Sequence, residues 1–170
     1  YLPAGLPIPV PEADGLSAPF WNGLRENRVM VQHCRACGTW QHGPEWICHG
    51  CHAIDPEWDE VAPRGRIYSW ERVWHPVHPC LDGHGSYLVV VVELEGAPGV
   101  RMLGNLLGDP AQDVRIGAEV QGVFEHHAQA DPPFTLLQWR YAMDNMLFRM
   151  QLRELPGLSL KPANGSCHTR

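Results

Sequence analysis

Residues 34–51 read CRACGTWQHGPEWICHGC, and the spacing of the four cysteines decides the first part of the fold. Cys34 with Cys37 and Cys48 with Cys51 form two CxxC turns separated by ten residues. Each turn aims two thiolates at one point, and the segment between is long enough for a hairpin that brings the pairs together as one tetrahedral site. Two disulfides are the competing reading, but a bond within a CxxC is strained, and the sequence is expected to lack a signal peptide. The spacing therefore predicts a zinc ribbon with one structural Zn²⁺ per chain, held by Cys34, Cys37, Cys48 and Cys51. Four thiolates leave no open position for a catalytic water. His33, His42, His49 and His52 flank the motif, but four better-spaced ligands are already present.

Working outward, the 170-residue chain has room for one ordinary domain and small attachments. Apolar residues make up 44% of it, enough for a core, while 17 glycines and 16 prolines favour short strands and turns over long helices. The longest apolar run, Tyr87 to Val92, is strand-sized, and nothing approaches the roughly 18 residues that cross a bilayer. A soluble, cytoplasmic protein without membrane association is expected. The formal charge of −6 opposes nucleic-acid binding, which needs a basic face. Cys80 and Cys167 stand far apart in loop-like surroundings and are expected as free thiols.

Along the chain, residues 1–19 are proline-rich and unsuited to regular helix. Ser17 offers an N-cap oxygen and Pro19 fits a first turn, so Phe20, Trp21 and Leu24 share one face of a helix ending near Asn27. Packing of that face on the ribbon is favoured over a partner-binding role, although Phe20, Trp21 and Met146–Met150 are also the apolar surfaces a partner would use. Arg28–Gln32 reads as a strand and Asp55–Arg64 as a proline-containing link. Beyond Gly65, five strands follow: RIYSWERVW, SYLVVVVELEG, VRMLGNLLG, Glu119–Glu125 and FTLLQWRY. Turns are expected at Pro98-Gly99, Ile116-Gly117 and Asp131-Pro132-Pro133. This pattern predicts a mainly β fold with a small Greek-key barrel of OB type. Expected boundaries are 1–30 for arm and helix, 31–60 for the ribbon, 61–142 for the barrel and 143–170 for a C-terminal extension. Asp144 could cap a short helix there.

The motifs PFWNGLRENRVMVQHCRACG, CHGC, Arg64-Gly65, Tyr68-Ser69, Trp74-His75-Pro76, Gly104-Asn105 and Ile116-Gly117, in this order, resemble the zinc-ribbon and OB-fold proteins of the family called domain of unknown function 35. The resemblance covers roughly residues 8–140. It implies a rubredoxin-like ribbon before a five-stranded OB barrel, and a non-catalytic accessory subunit. The implied partner is a thiolase, a lipid-transfer-type thiolase or aldolase, or a hydroxymethylglutaryl-CoA synthase. Such a subunit helps form the tunnel for a CoA thioester during Claisen or retro-aldol chemistry or acyl transfer, in a two-plus-two assembly. The residues agree in one respect: no catalytic triad, paired carboxylates or phosphate loop is legible.

OB barrels commonly bind ligands on strands 2 and 3 and the adjoining loops, which singles out WHPVHPCLDGHGS, residues 74–86. His75, His78, His84, Cys80 and Asp82 lie there, in a spacing that fits no zinc pattern. Prolines 76 and 79 should hold that loop extended. Arginine is the natural partner of CoA phosphates. Among Arg64, Arg66, Arg72, Arg101 and Arg115, the choices are Arg66 and Arg101, with His75 at the acyl end. The alternatives are a single-stranded nucleic-acid binder using Tyr68, Trp70 and Trp74, and a free-standing acyl-CoA thioesterase.

Overall fold

A computed structural model describes residues 10–11, 15–54, 56–75 and 78–142, without the side chain of Cys80. Most of the N-terminal arm, residues 76–77, the Asp144 cap, the Met146–Met150 segment and Cys167 lie outside the described residues.

Helix α1 spans Ala18–Arg25, with Pro19 in its first turn, where a missing N–H breaks no bond. Ser17 is the N-cap, yet its backbone is already helical (φ −85°, ψ −4°) and its side chain makes no capping bond. The expected cap is thereby corrected, because a capping oxygen reaches the first turn from an extended backbone. The helix stops where Asn27 enters the left-handed region at φ 61°. Arg28 N–H donates to Gly23 O at 2.8 Å and Asn27 N–H to Leu24 O at 3.1 Å, the paired closure of a Schellman turn. Leu24 is fully buried and Phe20 and Trp21 pack half-buried against the core. They are therefore not the exposed patch a partner would need.

The ribbon is a three-stranded antiparallel sheet of order β2-β1-β3, with β1 Val29–His33, β2 Trp40–Gln41 and β3 Glu57–Val61. The expected link at residues 55–64 is thus mostly strand. EWDEV carries three acids and lies on a sheet edge with only Val61 buried, so it lacks the apolar alternation that marks a strand from sequence. Its register against β1 runs from Val29↔Val61 to His33↔Glu57.

The second sheet has the order β6-β5-β4-β7-β8, all neighbours antiparallel. Its strands are β4 Arg64–Val73, β5 Tyr87–Leu94, β6 Arg101–Asn105, β7 Glu119–His127 and β8 Phe134–Tyr141. Leu88, Val90, Val92 and Leu94 point inward on alternate positions of β5 and meet Ile67, Met102 and Trp139. The sheet is not closed. A parallel bridge between Leu106 and Trp139, with Leu107 N–H donating to Trp139 O at 2.7 Å, draws its two edges together. This is the partly open barrel of an OB-fold. Gly99 (φ 81°) and Gly117 (φ 83°) occupy the expected turns, conformations that favour glycine. The loop before β5 departs from the extended form expected: Pro79–Leu81 is a 3₁₀ turn, which a proline φ near −65° permits.

Helix α1 packs on β1 of the ribbon and on β7 and β8 of the barrel, so one apolar face joins the two sheets. His126 adds a polar tie, with Nε2 3.0 Å from Asn27 Oδ1 and Nδ1 2.9 Å from Thr135 Oγ1.

Candidate metal centre and ligand surface

The two knuckles are built alike. Gly38 N–H donates to Cys34 O at 2.8 Å and His52 N–H to Cys48 O at 2.9 Å; Cys34 N–H donates to Thr39 O and Cys48 N–H to Ala53 O, each at 2.9 Å. The residue after each second cysteine is left-handed, Gly38 at φ 74° and His52 at φ 62°. These turns bring the four Sγ atoms within 4.8 Å of one another. The cross pairs Cys34–Cys51 and Cys37–Cys48 are each 3.6 Å apart. Zinc–sulfur bonds of about 2.3 Å in a tetrahedron place sulfurs about 3.8 Å apart, so the donor set fits one zinc ion.

Its electrostatics agree. Thr39, through hydroxyl and backbone hydrogen bonds, holds the Cys37 thiol down to about 6. At Cys51 the Ala53 N–H works to lower the pKa, but the sulfurs of Cys37, Cys34 and Cys48 push it up to about 12. Four sulfurs in one place resist joint ionisation unless a cation joins them. His52 is the one left-handed position here without glycine. His52→Gly is expected to stabilise the ribbon by about 1 kcal/mol, since a side chain there opposes the left-handed conformation. Thermal melts of the zinc-loaded protein check this.

Beside the knuckles, Asp59 accepts from His33 Nδ1 at 2.8 Å and from Arg35, which also binds Glu57 at 2.8 Å. His33 stacks on Trp40 with ring centroids 4.0 Å apart. The His33 hydrogen bond first, then Arg35, holds the Asp59 carboxyl below its ordinary range. These contacts fasten β1 to β3 and keep His33 in a structural role.

The arginines read from sequence fall into three groups. Glu119, Arg66, Glu93 and Arg101 form one row across β7, β4, β5 and β6. Arg66 donates to Glu119 and to Gly117 O, the latter at 3.1 Å. Arg101 donates to Glu93 at 3.1 Å and lies 3.4 Å from the centroid of the Tyr68 ring. Both first choices for phosphate are therefore engaged by carboxylates of their own chain. Arg72 donates to Pro110 O at 2.9 Å and Gln112 O at 2.8 Å, with the rings of Trp70 and Trp74 each within 6 Å. Arg64 and Arg115 are exposed and make no side-chain bond to another described residue. His75 is exposed just beyond β4. The structure does not gather His75, Arg66 and Arg101 into one site: the arginines share the row above, which meets a cleft of ≈ 610 Å³ lined in part by Arg64, Arg66, Glu93 and Glu119.

A second concavity is a groove of ≈ 530 Å³ where β5 begins and β6 ends. The loop 74–86, the ligand candidate in the sequence, supplies Leu81, His84, Gly85 and Ser86 to its lining. Its other residues are the start of β5, at Tyr87 and Leu88, and the end of β6 with the loop after it, from Asn105 to Pro110, which only the folded barrel sets against loop 74–86.

A four-thiolate ribbon followed by a five-stranded OB sheet defines the class of protein. The family model described as ChsH2, rubredoxin-like zinc ribbon domain, matches residues 21–57, and the one described as ChsH2, C-terminal OB-fold domain, matches residues 58–125. The chain belongs to this ChsH2/DUF35 family. It is similar to a solved chain of the "Ltp2-ChsH2(DUF35) aldolase", with 30% identity and a TM-score of 0.66 over 79% of this chain and 100% of that one. It is 34% identical over 125 residues to a probable enoyl-CoA hydratase alpha subunit of Thermomonospora curvata, a match to 73% of this chain and 37% of that protein. A DUF35 domain-containing scaffold protein of Methanocaldococcus jannaschii is 27% identical over 107 residues, 61% of this chain and 73% of that one. The chain thus spans little more than a third of the hydratase subunit it resembles. Among the described residues, no helix is long and apolar enough to cross a membrane.

Proposed function

We propose that this chain is an accessory subunit of a thiolase-like or aldolase-type enzyme acting on acyl-CoA thioesters, docking on that enzyme and helping to form its thioester tunnel. The observation that carries the reading is the match along the whole of the chain from the Ltp2-ChsH2(DUF35) aldolase. A structural Zn²⁺ at the four cysteines shapes the docking surface and leaves the chemistry to the partner. The residues of this chain support that division of labour. The metal set is all thiolate, which offers no position for an activated water. Thr135 and His126 do form a hydroxyl–imidazole pair, but Thr135 is only 1% exposed and beyond a substrate's reach. For the CoA phosphates, Arg66 and Arg101 must exchange carboxylate partners, while Arg64 and Arg115 have no side-chain partner among the described residues to give up. A two-plus-two assembly follows from the dimeric habit of thiolase-like enzymes.

The similarity to a hydratase alpha subunit favours a second reading, in which the same module serves a hydratase instead. One experiment separates these. The chain is isolated with its partner from its native cell, and the pair and each component are assayed with acyl-CoA thioesters for C–C cleavage and for hydration. Carbon–carbon cleavage only by the pair is expected. Hydration alone supports the second reading, and turnover by the isolated chain overturns the accessory role. Tight, salt-sensitive binding of a fluorescent oligonucleotide would move the assignment to nucleic acid.

A further inference from the structure

The two concavities of the barrel differ in chemistry. The cleft at the arginine row is lined by charges of both signs, including Arg64, Arg66, Glu93, Glu95 and Glu119. The groove of ≈ 530 Å³ at the other end has no Lys, Arg, Asp or Glu among the described residues of its lining. Its walls are Leu81, Tyr87, Leu88, Leu106, Leu107 and Pro110. At its polar edge stand His84, Ser86 and Asn105, whose side chains make no hydrogen bond to another described residue. An apolar concavity of about 300–1,000 Å³ with a few converging polar groups is the usual form of a small-molecule site.

The groove is also fixed in advance. One wall follows β6, where Leu107 N–H donates to Trp139 O at 2.7 Å. Arg72 binds the carbonyls of Pro110 and Gln112, and Tyr141 O–H donates to Asp113 O at 2.9 Å. The other wall is braced by the 3₁₀ turn, where His84 N–H donates to Leu81 O at 3.2 Å. Ordering such loops beforehand reduces the entropy lost when a ligand binds. A phosphate or carboxylate meets no Lys or Arg among the described lining residues, whereas a carbonyl or hydroxyl oxygen meets three polar side chains without a hydrogen bond to another described residue.

We infer that this groove binds a neutral, mainly apolar body bearing a carbonyl or hydroxyl oxygen, with Asn105 and Ser86 on the oxygen and the leucines on the hydrocarbon. Identifying that body with the acyl part of the thioester rests on the function proposed above; the site itself rests on the groove alone. Arg72 is a positioning residue, acting through Pro110 and Gln112.

The probe is androst-4-ene-3,17-dione, a neutral ring ketone without CoA, titrated into the zinc-loaded full chain and followed by amide chemical shifts. Shifts concentrated at Ser86, Tyr87, Asn105 and Leu107 are expected. Asn105→Leu removes the amide and should weaken binding about five- to tenfold, the loss of one hydrogen bond. Leu107→Arg puts a charge in the apolar wall and should abolish binding. No binding to the wild-type chain at about 100 μM probe, a typical weak-ligand range, overturns the site. So do shifts that cluster elsewhere, or both variants binding as wild type. Should a variant fold poorly, the wild-type shift map decides. Probe binding by a chain that never supports thioester turnover upholds the site and overturns the function reading. Turnover by a pair whose groove ignores the probe does the reverse.

Discussion

Cys34→Ser is expected to abolish zinc binding and unfold the ribbon, leaving a protein that retains less than the full β signal and melts without a cooperative ribbon transition. Elemental analysis should fall from about one zinc per chain, as one four-thiolate site implies, to near zero. The size of the effect follows from what else holds residues 29–61 together. Val29, Val31 and Val61 are the buried apolar residues of its three strands, too few to stabilise a sheet whose second strand is only Trp40–Gln41. A structural zinc contributes about 10–16 kcal/mol of apparent binding energy at neutral pH, which in such ribbons is folding energy. Cys34 is 2% exposed and its N–H and C=O also close the first knuckle, so serine leaves three thiolates and a buried hydroxyl facing the metal. Chelation of the wild type should reproduce the loss. A metal-free Cys34→Ser protein with native amide dispersion over residues 29–61 would sink the metal assignment.

What could be read from the sequence depended on how local the cause was. The knuckles were legible because CxxC spacing alone sets where thiolates point. Strand β5 was legible because SYLVVVVELEG carries an uninterrupted β-branched run between turn residues. Strand β3 was not, since EWDEV owes its strand to pairing with β1 and reads by itself as a polar link. The arginines show the same limit. Nothing near Arg66 in sequence reveals that Glu119 will stand opposite it, 53 residues away, or that Glu93 will lie between it and Arg101. Phe20 and Trp21 are legible as a face that packs on the ribbon, where Phe20 meets the His42 ring and α1 packs on β1, but that α1 also packs on β7 and β8 is set by strands distant in sequence. The groove was legible in one wall only: loop 74–86 stood out as a ligand candidate, but the facing wall from Asn105 to Pro110 meets it only in the folded barrel.

Gly65→Ala should cost the barrel about 3 kcal/mol, at the upper end of ordinary overpacking. Gly65 lies in the central strand β4, opposite Leu94 on one side and Val120 on the other. A methyl group there would stand 2.1 Å from Glu93 O, 2.9 Å from the Glu93 carbonyl carbon and 2.7 Å from Val92 Cγ1. Two of those atoms are backbone, so no side-chain rotation relieves the clash. Strand β5 must move away from β4 and take with it the ladder that seats Val90 and Val92 in the core. Glycine within a strand commonly marks such a close backbone approach. Gly99→Ala supplies the comparison: its added methyl meets nothing within 4 Å, and its φ of 81° is the only objection. That change should cost about 1 kcal/mol, the ordinary price of a left-handed turn. For a domain of this size the difference corresponds to a melting point lower by about 10 °C or more in Gly65→Ala than in Gly99→Ala. Equal melting points for the two variants would show that β4 and β5 do not approach each other this closely, and the OB sheet would lose the contact that sets its central register.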